Sequence, residues 1–269
     1  MFPSYPNGYV GFRELCYNPI KLNLKISIIT VCYNGGKTIE KTIQSVLSQT
    51  YENIEYIIID GMSKDNTLEI INRYRHKIST LVSEKDNGMY DALNKGIKLA
   101  TGDIVGILNA DDIFASNNIL FDIGNFFKNS DVDAVIADVA FINKWGKIIR
   151  SYSSRYWNPG KFVWGFMPPH PSFYCKRELF STLGYYRSDF QIAADYELLI
   201  RFINKNKIKY TYLPLLMVLM NTGGKSTNGI KSNIVINKEI KYACELNGLY
   251  TNYLKLYSKY FIKIFEFLR

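Results

Sequence analysis

Residues Ile104 to Leu108 read as a buried strand, yet the run ends on Asn109-Ala110-Asp111-Asp112. Adjacent carboxylates repel each other, and withdrawing them from water adds a desolvation cost. Two further polar clusters end apolar runs in the same way: Tyr33-Asn34-Gly35-Gly36 and Asp60-Gly61-Met62-Ser63-Lys64-Asp65. Asn, Ser and Asp also cap helices, which accounts for any one cluster alone. Three clusters at strand ends point instead to a shared ligand, because open α/β sheets bind beyond the carboxyl ends of their strands. Farther along, Asp195 sits in AADYEL ahead of an apolar helical face (Leu198, Leu199, Phe202), and His170 lies in Pro168-Pro169-His170-Pro171-Ser172. The neighbouring prolines suggest a shaped pocket wall around His170.

The elements that position these groups follow from periodicity. KISIITVC (Lys25 to Cys32), Ile54 to Ile59, Ile78 to Val82 and Asp103 to Leu108 read as strands. Lys37 to Leu47, Asn66 to Tyr74 and Asn87 to Leu99 carry apolar residues at helical spacing. Strand–helix alternation with short Gly/Asn/Asp connections implies a mostly parallel, Rossmann-like α/β sheet with helices on both faces. From Val132 the rhythm changes. A hairpin is expected around Lys144-Trp145-Gly146, between Asp133 to Asn143 and Lys147 to Ser151. Trp164 to Cys175 reads as irregular, Ala194 to Asn204 as helix, Lys207 to Met220 as strand, and Ile230 to the end as helix. The expected division is an extended lead-in (1–25), a catalytic domain (26–227, split at 130/131) and C-terminal helices (228–269).

The chain of 269 residues is 47% hydrophobic, enough for one large core or two modest ones. A formal charge of +9 suggests an anionic partner. Lys225 to Arg269 holds 8 Lys and Arg against 3 Glu, so the tail carries much of that charge, which argues against a whole face built for nucleic acid. Cys16, Cys32, Cys175 and Cys244 show no metal-ligand spacing and read as thiols in a reducing compartment. No secretory leader or membrane span is recognised, so a cytoplasmic location is expected.

VCYNGGKTIEKTIQSVLSQTY, IIIDGMSKDNT, SEKDNGMYDALNKGIKLATGD and ILNADD, in that order, resemble the nucleotide-sugar half of family 2 glycosyltransferases with the GT-A fold. MPPHPSFYCKRELF and QIAADYELLIRF are similar to the acceptor half of members that build bacterial capsular and exopolysaccharides. The resemblance implies an inverting transfer from a UDP-sugar to an acceptor hydroxyl. It implies a divalent cation, Mn²⁺ or Mg²⁺, whose charge offsets the carboxylate repulsion and stabilises the departing diphosphate. Asp111 matches the metal ligand of the family's Asp-x-Asp motif, with Asp112 beside it. The family's first Asp is Asn109 here, and one charge fewer suggests weaker metal affinity. Asp60 stands where the family accepts the uracil N3–H, and Thr30 to Tyr33 supply backbone contacts to the base. Asn34, Asp86 and Ala110 border the donor, while Asp65 caps the following helix. Lys95 is either a phosphate contact or a solvated face. Asp195 matches the catalytic base, which takes the hydroxyl's proton as attack begins; Glu197 is expected to face elsewhere. His170 is expected to contact acceptor or diphosphate.

Gly223-Gly224-Lys225-Ser226-Thr227 resembles a P-loop only in part, since the glycine required five residues before Gly-Lys is Leu219. The family has a closing loop here, and Lys225 and Ser226 are expected to meet the diphosphate. Tyr250, Tyr253, Leu254, Tyr257, Phe261, Ile264, Phe265 and Leu268 recur at helical spacing beside Lys255, Lys259 and Lys263. Such a helix suits an anionic membrane surface, its own domain, or a second copy of the chain. The acceptor is expected to be a saccharide or lipid-linked saccharide. Two other readings are a nucleotidyltransferase, against which the short, weakly basic Asn34–Lys37 loop speaks, and a non-catalytic nucleotide-binding docking protein.

Overall fold

A computed structural model describes residues 24–221 and 229–258. Its frame is one nine-stranded sheet: β1 (Ile26–Cys32), β2 (Ile54–Asp60), β3 (Thr80–Ser83), β4 (Ile104–Ile107), β5 (Asp112–Phe114), β6 (Ala134–Ile142), β7 (Ile148–Tyr152), β8 (Tyr174–Lys176) and β9 (Tyr210–Asn221). The order is β3-β2-β1-β4-β8-β6-β9-β5, with β7 paired to β6. Strands β3, β2, β1 and β4 are parallel, the expected Rossmann-like half. Beyond β4 the directions are mixed: β8 runs antiparallel to both β4 and β6, β9 parallel to β6, and β5 antiparallel to β9.

Period-two alternation divides the core between two faces. Ile29, Val31, Ile57, Ile59, Val105 and Ile107 pack under α3 (Met89–Leu99), α5 (Glu178–Leu183), α6 (Ala194–Leu199) and α7 (Gly229–Leu246). Ile26, Ile28, Tyr56, Ile58, Ile104 and Leu108 pack under α1 (Ile39–Leu47), α2 (Thr67–Arg73) and α4 (Ile119–Asn129). Helices therefore cover both faces, as expected for a parallel sheet whose strands are apolar throughout. The two halves of the sheet join at Gly106: a Cβ there would lie 1.9 Å from the Tyr174 ring, so only glycine lets β8 seat against β4.

Four elements are absent from the sequence expectations: β5, α4, β8 and α5. The expected helix from Ala194 turns into a π-helical segment over Ile200–Lys205. The tail is not helical from Ile230 to the end of the described residues. α7 stops at Leu246, Gly248 takes φ +73°, and Leu249 N donates to Cys244 O at 2.8 Å before α8 begins over 253–258. A left-handed glycine with amides turned back onto the last carbonyls is a C-terminal cap, and it redirects the chain. Residues 259–269, with Phe261, Ile264, Phe265 and Leu268, lie outside the described residues. Among the described residues no helix is long and apolar enough to cross a membrane.

Candidate active site

Strand ends gather the polar clusters at one rim. After β1 the chain takes a left-handed turn at Asn34 (φ 52°), whose N–H donates to Ser63 Oγ at 2.8 Å and whose Oδ1 accepts from Lys64 N at 2.8 Å. Asp65 accepts from Gly36 N at 3.1 Å and from Thr67 N at 3.1 Å, so it ties the first loop to the second and caps the start of α2. Asp86, in the loop before α3, accepts from Gly88 N at 2.9 Å. A Cβ on Gly61 would lie 2.4 Å from Asp86 Oδ2 and 3.5 Å from the Tyr33 ring. Gly61 thus lets Asp86 and the exposed Tyr33 ring approach each other beside the end of β2. Ala110 borders the same rim, 3.6 Å from where a Gly35 Cβ would stand.

Asp60 is fully buried. Its oxygens accept from Ser63 N at 3.0 Å, Ser83 Oγ at 2.7 Å, Ser63 Oγ and, more weakly, Cys32 Sγ. Thr30 is also fully buried, its hydroxyl accepting from Tyr56 Oη at 3.2 Å. Of the stretch from Thr30 to Asn34, only Tyr33 and Asn34 stand exposed at the rim. Lys95 is held by Glu84 at 2.8 Å and Asp91 at 3.5 Å, which makes it part of a solvated ion pair.

At the end of β4, Asn109 to Asp112 form a tight turn closed by Asp112 N donating to Asn109 O at 3.0 Å. Asp112 is the first residue of β5 rather than part of a free loop; its carbonyl accepts from Thr42 Oγ1 at 2.8 Å. Asn221, the last residue of β9, donates through Nδ2 to Asp111 O at 2.6 Å. The Asp112 side chain is almost wholly buried, and burial, with the Asp111 charge beside it, pushes its carboxyl well above the usual carboxylate range.

A chain of side chains runs from this turn into the second half of the protein. Asn109 Nδ2 donates to Asp112 Oδ2 at 3.2 Å and meets His170 Nε2 at 3.1 Å. An amide NH₂ can only donate, so His170 Nε2 accepts and the ring hydrogen sits on Nδ1. That Nδ1 faces Asp195 Oδ2 at 3.4 Å. Burial lowers the His170 pKa against the pull of Asp195 and Asp111, which favours the neutral ring. Burial raises the Asp195 pKa, opposed by His170 and by the amide of Tyr196, which donates to Asp195 Oδ1 at 2.8 Å.

Asp195 is held from two sides. Tyr90 on α3 donates its hydroxyl to Ile192 O and accepts from Ala194 N at 3.1 Å. From α7, the Glu239 carboxylate accepts from the amides of Gln191 (2.7 Å), Ile192 (2.9 Å) and Ala193 (2.8 Å). Sequence reasoning missed Glu239: it lies 44 residues beyond Asp195, with no motif linking the two. Glu197 does face away, in a buried pair with Arg201 at 2.9 Å.

Among the described residues no three His, Cys, Asp or Glu converge as a metal cage. The turn nevertheless fits a hard cation. It offers two adjacent carboxylates, and Asn109 Oδ1 is buried with no hydrogen-bond partner. Mg²⁺-like ions are held by one or two carboxylates plus substrate phosphates, so a full protein cage is not needed. Lys225 and Ser226 lie outside the described residues.

Comparison with known proteins agrees with this architecture. The model of Glycosyl transferase family 2 matches residues 27–192. A PGL/p-HBAD biosynthesis glycosyltransferase of Mycobacterium tuberculosis is 27% identical over 220 residues, 79% of this chain and 81% of that protein. The poly-beta-1,6-N-acetyl-D-glucosamine synthase of Staphylococcus epidermidis is 37% identical over 121 residues, 44% of this chain and 29% of that one. In three dimensions, S. aureus TarS 1-349 in complex with UDP-GlcNAc superposes with a TM-score of 0.66 at 18% identity, covering 84% of this chain and 68% of TarS 1-349. The mannosyltransferase PcManGT from Pyrobaculum calidifontis, in complex with GDP-Man and Mn²⁺, gives 0.59 at 20% identity, covering 79% and 60%. At such identities the likeness is one of fold.

Proposed function

The chain belongs to glycosyl transferase family 2, and on that premise we propose that it is an inverting, metal-dependent glycosyltransferase. It moves a sugar from a UDP-sugar to a hydroxyl of a saccharide or lipid-linked saccharide acceptor in bacterial surface glycan synthesis. The observation that carries this reading is the side-chain bridge from Asp112 through Asn109 and His170 to Asp195. One end is a carboxylate pair suited to a diphosphate and its cation; the other is a single buried carboxylate suited to a hydroxyl proton.

Tyr33, Asn34, Ala110 and Asp86 line the nucleotide end in this proposal, with the Thr30–Tyr33 backbone along the base. Asp60 accepts the uracil imide in place of its weak Cys32 Sγ contact or of a Ser63 or Ser83 hydroxyl that rotates away, since its acceptor positions are filled within the chain. Lys225 and Ser226 approach the diphosphate. Asp111, Asp112 and the unpartnered Asn109 oxygen would hold a divalent ion, which would supply positive charge to the leaving diphosphate. Asp195 takes the acceptor proton as the hydroxyl attacks the anomeric carbon. His170, as the Nδ1–H tautomer, orients the carboxylate and offers a wall to the acceptor. Among the described residues Asp195 is the carboxylate facing His170, an arrangement suited to single displacement with inversion.

The protein works at the cytoplasmic membrane face in this account. Tyr250 and Leu254 are 76% and 85% exposed, and Lys255 Nζ lies 5.6 and 5.7 Å from the Trp164 and Tyr250 ring centroids. Aromatic rings beside lysine suit an anionic interface. Leu256, by contrast, is fully buried in the core and belongs to no lipid-facing stripe. Incubation with a panel of UDP- and GDP-sugars and Mn²⁺ tests the proposal. Turnover confined to a UDP-sugar and lost in Asp195→Asn is expected; turnover of GDP-sugars alone, or in the variant at the wild-type rate, contradicts it.

A further inference from the structure

The charge of the catalytic body is divided between its halves. Residues 26–130 hold ten Lys and Arg against thirteen Asp and Glu, whereas residues 131–221 hold twelve against seven. Outside the tail the chain is therefore not evenly balanced: the nucleotide half is net negative and the acceptor half net positive. The excess concentrates in residues 139–177, which contain four Lys, three Arg and no Asp or Glu.

Ion pairing neutralises much of the rest of that half. Lys176 meets Asp133, Arg187 meets Asp189, Arg201 meets Glu197, and Lys209 meets Asp131. Lys144, Lys147, Arg155 and Lys161 pair with no carboxylate among the described residues. Two of these lie beside aromatic rings, Lys144 over Trp145 at 4.5 Å and Arg155 over Tyr156 at 5.5 Å, and on β7 Arg150 lies over Phe141 at 5.7 Å. Trp145 and Tyr156 are 78% and 77% exposed.

This surface is joined to the site by the sheet. Asp112 pairs with Met220, Met220 with Phe141, and Phe141 with Arg150, so one row across four strands carries both the acidic turn and the basic strand. Residues paired in register share a face, and three strand spacings span about 14 Å, a few sugar units at most. The far end of β7 is tied to the pocket wall: Tyr152 Oη donates at 2.9 Å to Met167 O, three residues before His170.

We propose that the acceptor is an anionic glycan, bearing phosphate as a lipid pyrophosphate or a chain phosphodiester, and that Lys144 and Lys147 of the β6–β7 hairpin, with Arg155 just beyond it, bind that phosphate. This rests on the glycosyltransferase reading and names its acceptor class. Guanidinium and ammonium groups bind phosphate oxygens, and exposed Trp and Tyr rings give sugar faces a surface to stack on. The opposite charge of the nucleotide half keeps such an acceptor out of the donor pocket, where the nucleotide brings its own cation.

The test uses the full chain with Mn²⁺ and a panel of UDP- and GDP-sugars that includes UDP-GlcNAc. Hydrolysis of the donor is measured first; its absence for every nucleotide-sugar offered overturns the glycosyltransferase reading and this inference with it. With donor turnover in hand, one disaccharide is offered as a lipid pyrophosphate, as a lipid-free phosphodiester and as an uncharged alkyl glycoside. A kcat/KM at least tenfold higher for a phosphate-bearing form, reduced by high salt, is expected, and the two charged forms separate the lipid from the chain source. The triple charge reversal K144E/K147E/R155E is expected to remove that preference through KM, with the uncharged glycoside changing less than threefold. Equal use of charged and uncharged acceptors overturns the proposal. So does a variant that keeps the preference, or one whose only loss is binding to anionic vesicles, which would make the hairpin a membrane contact.

Discussion

The two ends of the parallel strands treat buried acid groups in opposite ways. At the amino end, Glu55 accepts from Ser27 Oγ (2.6 Å), Thr101 N (2.7 Å) and Thr101 Oγ1 (2.7 Å), with Lys25 Nζ 3.4 Å away. Burial pushes its carboxyl up, but those donors and Lys25 outweigh burial and bring it down to about 2. At the carboxyl end Asp60 is likewise satisfied, by Ser63 and Ser83, but around the turn after β4 burial dominates: Asp112 and Asp195 are both shifted upward, and Asn109 Oδ1 has no partner. One rim is complete within the chain. The other holds charge and polar atoms that the chain itself leaves uncompensated, as a rim does when a ligand supplies the missing partners.

Substitutions at the two rims should therefore fail differently. Asp195→Asn should keep the fold and lower transfer by about 10³-fold, within the range for losing a general base; a melting curve beside the rate checks it. In the wild type, the raised Asp195 pKa puts the acid limb of the rate profile above the ordinary Asp value of about 3.9, because the base works only when ionised. A profile flat down to pH 4 would remove Asp195 from the role. Next in size is Glu239→Gln, which keeps the shape but turns one acceptor oxygen into a donor that faces a backbone N–H. A fall of about tenfold in kcat with little change in nucleotide affinity is expected, from the roughly 1.5–3 kcal/mol of a hydrogen bond to a charged group. Loss of stability without loss of kcat would make Glu239 a brace only. The smallest effect on catalysis belongs to Glu55→Gln, which should leave kcat near wild type and cost about 1–3 kcal/mol of stability. The sign with pH follows from the depressed value. Glu55 contributes stability above the unfolded carboxylate pKa of about 4.3, and that contribution fades as pH falls toward 2. Denaturation at pH 7 and pH 3 should show the variant and wild type converging at the lower pH.

The same contrast explains what the sequence made legible. β1, β2, β4 and their loops were readable because both faces are buried, so apolar runs end abruptly on Gly, Asn and Asp. β5 and β8 are three residues each, too short to show a period, and β8 is recognisable only through Gly106, which must admit the Tyr174 ring. α4 falls between motifs, and α5 opens on the last three residues of MPPHPSFYCKRELF and is only six residues long, too short to show a helical period. The Asn109–His170–Asp195 approach joins residues 61 and 25 positions apart, and Glu239 reaches back to Gln191 from a helix with no signature of its own. Such contacts depend on how β8 and α7 pack, which no local pattern encodes. The break after α7 was in principle visible at Asn247-Gly248, a capping pair, but the aromatic periodicity beyond it masked the stop.

The central claim is that the acidic rim is built to be completed by a cation and a nucleotide diphosphate. Titration calorimetry of UDP into the full chain, with Mn²⁺ and then with EDTA, tests it most directly, alongside Asp111→Asn. UDP affinity that falls at least tenfold on chelation and equally in the variant is the expected result. Affinity indifferent to both would mean the carboxylates at Asp111 and Asp112 serve the fold and not the donor.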